Sequence, residues 1–161
     1  MLASCATRPP AIETMPWTSG RLSVKVDATP EQAARSVSAS FDLRGGDQNG
    51  ELRLVSPLGT LIAVATWTPN QARLATPEGT QTYPDLDALS RQALGEALPL
   101  RALPDWLAGR PWRGAASLVA TSGFEQLGWQ VDLARFADGW VDARRNQPPT
   151  VLVRARLQRE P

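Results

Sequence analysis

The chain has 161 residues, 42% of them apolar and 20% charged, with a formal net charge of +1. That balance fits one globular domain with a sizeable core and leaves no electrostatic footprint for nucleic acid. There is no histidine and only one cysteine, which excludes Ser-His-Asp and Cys-His catalysis, an internal disulfide and a cysteine-rich zinc site.

The first residues, Leu2-Ala3-Ser4-Cys5, read like the end of a bacterial lipoprotein signal, where small residues precede the cysteine that receives diacylglycerol. The basic and long apolar regions of such a signal do not stand before them here. Residues 1–5 are therefore either the remnant of a signal ending at a lipidated Cys5 or a chance match of four residues. Residues 6–16 carry three prolines and no apolar period, the composition of a flexible tether. No apolar stretch reaches the length of a membrane span.

A folded domain is expected over 17–161. In "GRLSVKVD" Leu22, Val24 and Val26 alternate with Arg21, Ser23 and Lys25, and in "ARSVSASFDLRG" Val37, Ala39, Phe41 and Leu43 alternate with polar neighbours. Both patterns predict half-buried strands. "GGDQNG" is a turn by composition. "ELRLVSPLG" puts Leu52 and Leu54 on one face. "TLIAVATW" is apolar on both, which predicts a central strand covered on two sides. "QARLATPEGTQTY" reads as a hairpin turning at Pro77-Glu78-Gly79.

The period then changes. "PDLDALSRQALGEAL" sets Leu86, Leu89, Ala93 and Ala97 on one helical face, with Asp85 placed to cap and Gly95 to terminate. In "LPLRALPDWLAGRP" Leu100, Leu103, Trp106 and Leu107 recur at helical spacing, with Pro104 in the first turn and Gly109 and Pro111 as stops. Strands resume. "FEQLGWQVDLARF" reads as one strand with Leu127, Trp129, Val131 and Leu133 on its apolar face, and "GWVDARR" and "TVLVRARLQ" close the chain. Strands, two helices and strands in that order exclude a doubly wound fold. The expected class is mainly β, a strongly curved antiparallel sheet with two helices on its concave side.

Six tryptophans point to large rings in a core or around a cavity. In "SPLGT" (56–60) Pro57 and Gly59 account for a hairpin turn, but they leave Leu58 at an apolar tip. Burying one such side chain in a membrane would gain roughly 1.5–3 kcal/mol. Arg144, Arg145, Arg154, Arg156 and Arg159 form a solvated strand face or a contact for anionic headgroups or an acidic partner. Asp85, Asp87, Asp132, Asp138 and Asp142 read as caps and surface charges, because no nucleophile or nucleotide motif accompanies them.

The stretches "GELRLVSPLGTLIAVATW" and "ARLATPEGTQTYPDLDALSRQALGEALPLRALPDWLAGRP", followed by "GWQVDLARF" and "PPTVLVRARL", resemble the LolB family in order and spacing over most of residues 17–158. The LolB proteins are outer-membrane lipoprotein receptors among the LolA/LolB lipoprotein-localisation factors. The resemblance implies a half-open β-barrel with lid helices over an apolar cavity. It also implies diacylglycerol and N-acyl lipid on Cys5, and a protruding turn whose Leu58 helps deliver cargo into the membrane. No other cofactor and no metal is expected.

The implied partners are a LolA-like periplasmic carrier, triacylated lipoprotein cargo and outer-membrane phospholipid. The implied place is the outer membrane, facing the periplasm, and the chain is expected to act as a monomer without nucleic acid and without catalysis. Candidates for the acyl-chain cavity are Leu22, Val24, Phe41, Leu52, Leu54 and Trp67 from the strands, Leu86, Leu89, Leu103 and Trp106 from the helices, and Trp129 and Trp140 from the closing strands. Ordinary core packing is the alternative for each. A static outer-membrane scaffold or general lipid-binding protein is the alternative for the whole.

Overall fold

The computed structural model describes residues 12–159, so Cys5 and the rest of the first eleven residues lie outside the described part. Of the 6–16 stretch, Ile12–Thr14 form a 3-10 turn.

Six strands come first: β1 (Thr18–Val26), β2 (Arg35–Gly45), β3 (Gly50–Val55), β4 (Leu61–Thr68), β5 (Gln71–Thr76) and β6 (Gly79–Tyr83). Helices α1 (Leu86–Leu94) and α2 (Leu103–Leu107) follow. The chain ends in β7 (Ser117–Ala120), β8 (Gly123–Gln126), β9 (Trp129–Asp132), β10 (Trp140–Arg145) and β11 (Val151–Leu157). All strands pair antiparallel in one sheet of order β6-β5-β4-β3-β2-β1-β11-β10-β9-β8-β7. The two halves meet where β1 pairs with β11, and β6 and β7 remain as free edges, so the sheet is not closed into a barrel.

The period-two pattern decides the faces. Leu22, Val24 and Val26 of β1 lie opposite Ala155, Val153 and Val151 of β11, and Ala155 and Val153 lie opposite Val141 and Ala143 of β10. This inner face carries the core, which the helices cover. The outer face takes the polar partners. There Arg44 and Arg53 stack on Trp17 at 4.3 and 4.9 Å, while Glu51 binds both guanidiniums at 2.7 and 3.4 Å.

Three elements depart from the sequence reading. Residues 123–132 are a hairpin and not one strand: Leu127 and Gly128 both take positive φ, 57° and 79°, and form the two-residue turn between β8 and β9. Leu127 therefore sits at a half-exposed tip and off the apolar face. Strand β4 is covered on one side only, with Ala63, Ala65 and Trp67 buried and Val64 and Thr66 partly exposed. Gly95 ends α1 at Leu94 as expected, in the left-handed conformation with its N–H returned to Arg91 O, so Ala97, placed on the helical face from sequence, lies beyond the helix. Its start is as expected, with the Asp85 side chain accepting from Ala88 N at 2.8 Å.

Candidate functional site

Between the inner face and the two helices lies a cavity of about 340 Å³, within the range of roughly 300–1,000 Å³ typical of small-ligand sites. Its floor is made by small residues on the strands, Ala39, Ala63, Ala65, Ala143 and Ala155, beside Leu52, Leu54, Val141 and Val153. Its roof is made by large ones: Leu89 of α1, Leu98 and Leu100 of the connector, and Leu103, Trp106 and Leu107 of α2. Alanines facing leucines and tryptophans leave the space unfilled. Thr76 carries the only hydroxyl among the lining residues. An enclosure this apolar has the lining suited to hydrocarbon and offers little to a water molecule, which needs two to four polar partners.

Eight of the twelve cavity residues expected from sequence line this space: Leu22, Val24, Leu52, Leu54, Leu89, Leu103, Trp106 and Trp129. The other four do not. Phe41 packs in the core, 2% exposed, against Gly20, where an added Cβ would meet its ring at 3.0 Å. Trp67 donates its indole N–H to Gly46 O at 2.8 Å, and its ring fills the place a side chain at Gly50 would take. Leu86, also 2% exposed, seats the first turn of α1. Trp140 shares its face with Asp142 and Arg144 on the outside of β10. The guanidiniums of Arg135, Arg156 and Arg154 stand 4.7, 5.3 and 5.9 Å from its ring. Arg154 is paired with Asp142 at 2.9 Å, which raises its already high pKa further.

Two polar residues missed by sequence reasoning hold the roof. Gln126 is 2% exposed, and its amide is fully used: the oxygen accepts from Trp106 Nε1 and Trp112 N at 2.8 and 2.9 Å, and the nitrogen donates to Trp112 O and Ala115 O at 2.7 and 2.9 Å. It pins α2 to β8, and Trp106 packs edge-on against Phe124. Ser90 is buried under α1. Its Oγ accepts from Leu98 N at 3.0 Å and donates to Asp87 O at 3.1 Å, which fixes the connector against the helix.

A second space of about 270 Å³ adjoins the first, and Val24, Val37, Ala93 and Leu98 line both. Here the wall turns polar, with Arg35, Ser36 and Glu96. Glu96 accepts from Arg145 at 2.7 Å and lies 3.9 Å from Arg35. Arg145 also donates to Pro149 O, whereas its Nε is buried and has no partner.

Leu58 stands apart from the cavity. In the turn after β3, Gly59 N donates to Ser56 O at 2.9 Å, Ser56 N to Thr60 O at 2.8 Å, and Gly59 has φ 86°. This tight turn leaves Leu58 95% exposed, and Leu61 beside it is half-exposed. Among the described residues no helix is long and apolar enough to cross a membrane, and no group of three or more acidic, cysteine or histidine side chains is placed to hold a metal.

Fold and site together define an open antiparallel half-barrel that encloses an apolar ligand space under a helical roof. The family model for outer membrane lipoprotein LolB matches residues 17–158. The chain belongs to the LolB family. The outer-membrane lipoprotein LolB of Bordetella petrii is 33% identical, with 95% of this chain and 84% of that protein covered. The corresponding protein of Chromobacterium violaceum is 34% identical, over 86% of this chain and 79% of that one. That of Cupriavidus metallidurans is 37% identical over 75% of this chain. The match spans 61% of the Cupriavidus metallidurans protein's length and 58% of its Cupriavidus necator counterpart.

Proposed function

We propose that this chain is an outer-membrane-anchored receptor. It accepts triacylated lipoproteins from a LolA-like periplasmic carrier into its apolar cavity and inserts them into the inner leaflet of the outer membrane. The observation that carries the reading is the cavity itself, a hydrocarbon-lined space of about 340 Å³ in a LolB-family half-barrel. Burial of each methylene is worth about 0.8 kcal/mol, so cargo with three acyl chains does not cross water bare. It passes from one enclosure to another by contact. With no nucleotide motif in the chain, the transfer runs downhill in affinity.

Cys5, with diacylglycerol and an N-acyl group, would be the anchor, and the chain that follows it the tether. Leu58, displayed on a tight hydrogen-bonded turn, would enter the membrane during release. No catalysis is part of this role. Asp85 caps α1, Asp132 accepts from Ala134 N and Asp142 holds Arg154, so these carboxylates have structural work already. The static scaffold has no use for a hydrocarbon-lined interior, and the cavity favours the receptor.

The two surfaces can be tested apart. Leu58→Glu places a charge where an apolar side chain is 95% exposed, so folding and cavity are untouched. Purified variant mixed with a carrier–lipoprotein complex should take up cargo at the wild-type level and fail to pass it to phospholipid vesicles. Equal delivery by variant and wild type would remove Leu58 from the mechanism. Absence of uptake by the wild type would overturn the receptor reading.

A further inference from the structure

An acylated lipoprotein end is not hydrocarbon throughout. Two ester carbonyls and one amide join its chains to the modified cysteine, and the N-acylated amine carries no charge. The main cavity offers such groups almost nothing, with one hydroxyl in its lining. Carbonyls drawn into it without partners would resist binding, since a buried polar group loses its hydration with no compensating hydrogen bond. A receptor for this ligand needs a polar annex in line with the apolar space.

The adjoining space at the end of α1 has that composition. It shares walls with the cavity, and it adds a guanidinium donor in Arg35, a carboxylate acceptor in Glu96 and the Ser36 position. The charges are held there deliberately. Arg145 fixes Glu96 at 2.7 Å while leaving its own Nε buried without a partner, a cost that an apolar residue would avoid. Arg35 is held close as well, for a side chain at Gly95 would meet its Nη1 at 2.5 Å.

We infer that this annex is the subsite for the ester- and amide-linked polar end of the acylated cysteine, with acyl chains in the apolar cavity beside it. Arg35 donates to carbonyl oxygens. Glu96 accepts from the amide N–H of the modified cysteine. Arg145 is a positioning residue that acts through Glu96. The inference rests on the receptor reading.

The test uses two probes on the folded protein: a tripalmitoylated N-terminal cysteine peptide, and pyrene as a purely apolar probe. Arg35→Gln is the first variant, because Arg35 is 40% exposed in its side chain and Glu96 keeps Arg145 without it. The expected result is a loss of about 3- to 10-fold in affinity for the peptide, the size of one or two hydrogen bonds, with pyrene affinity unchanged. Arg35→Lys, which keeps a donor and the charge, should recover part of the loss. The subsite is wrong if the peptide and pyrene affinities fall together or if neither changes. Wild type that binds pyrene and not the peptide would overturn the receptor reading and the subsite with it.

Discussion

Gln126 shows how one side chain decides whether the roof stays in place. Its amide satisfies two donors and two acceptors at once. Gln126→Leu leaves Trp106 Nε1, which is buried, and Trp112 N, which is part-buried, without acceptors, each a cost of roughly 1–3 kcal/mol. The expected loss is about 3 kcal/mol or more, read as a lower urea midpoint, and α2 should lose protection from hydrogen exchange. An unchanged midpoint would mean that water replaces the amide freely. Neither this residue nor the placement of Trp140 was read correctly from sequence, for different reasons. Gln126 looks like a solvated strand residue, and nothing local shows that a helix twenty residues upstream needs its oxygen. Trp140 was legible: in "WVDARR" it has the parity of Asp142 and Arg144, opposite to Val141 and Ala143. Its size argued for the interior, and the period of two was the better guide. Its apolar ring is covered by arginines and not by core.

At the scale of elements, the features with strong local chemistry were visible in advance. Asp85 and Gly95 mark the ends of α1 because an N-cap oxygen and a left-handed glycine satisfy backbone groups wherever they occur. The β8–β9 hairpin was missed because its turn is Leu127-Gly128, where Asn-Gly is the usual signal for two positive φ angles. A leucine at φ 57° clashes with its own backbone, at about 1–2 kcal/mol for a left-handed residue other than glycine or asparagine. Leu127→Asn should therefore stabilise the domain by about 0.5–1 kcal/mol, measured by denaturant unfolding, with no effect on ligand binding because Leu127 lines no part of the main cavity. A destabilised variant would show that the half-exposed leucine contributes packing that outweighs the strain.

For the whole molecule, the sheet is open and its interior is underfilled, and both follow from where the small residues fall. Alternation made the curved sheet and its covered face legible. It could not reveal the cavity, since Ala39, Ala63, Ala65, Ala143 and Ala155 look in sequence like ordinary inward positions. The space appears only when the register brings alanines from β2, β4, β10 and β11 beneath the leucines of the roof. Close packing would be more stable, so a cavity that the side chains do not fill is a stability cost retained for a ligand. Ala65→Leu tests this directly. Ala65 is 5% exposed and forms part of the cavity floor, and three added carbons in an apolar-lined space gain up to about 2.4 kcal/mol at roughly 0.8 kcal/mol each. The variant should unfold at higher urea and take up acylated cargo less well than the wild type, while its Leu58 turn, which lines no part of the cavity, stays unchanged. Higher stability with undiminished uptake would place the acyl chains elsewhere. Lower stability would mean that the floor has no room, and that the cavity exists only as the roof opens.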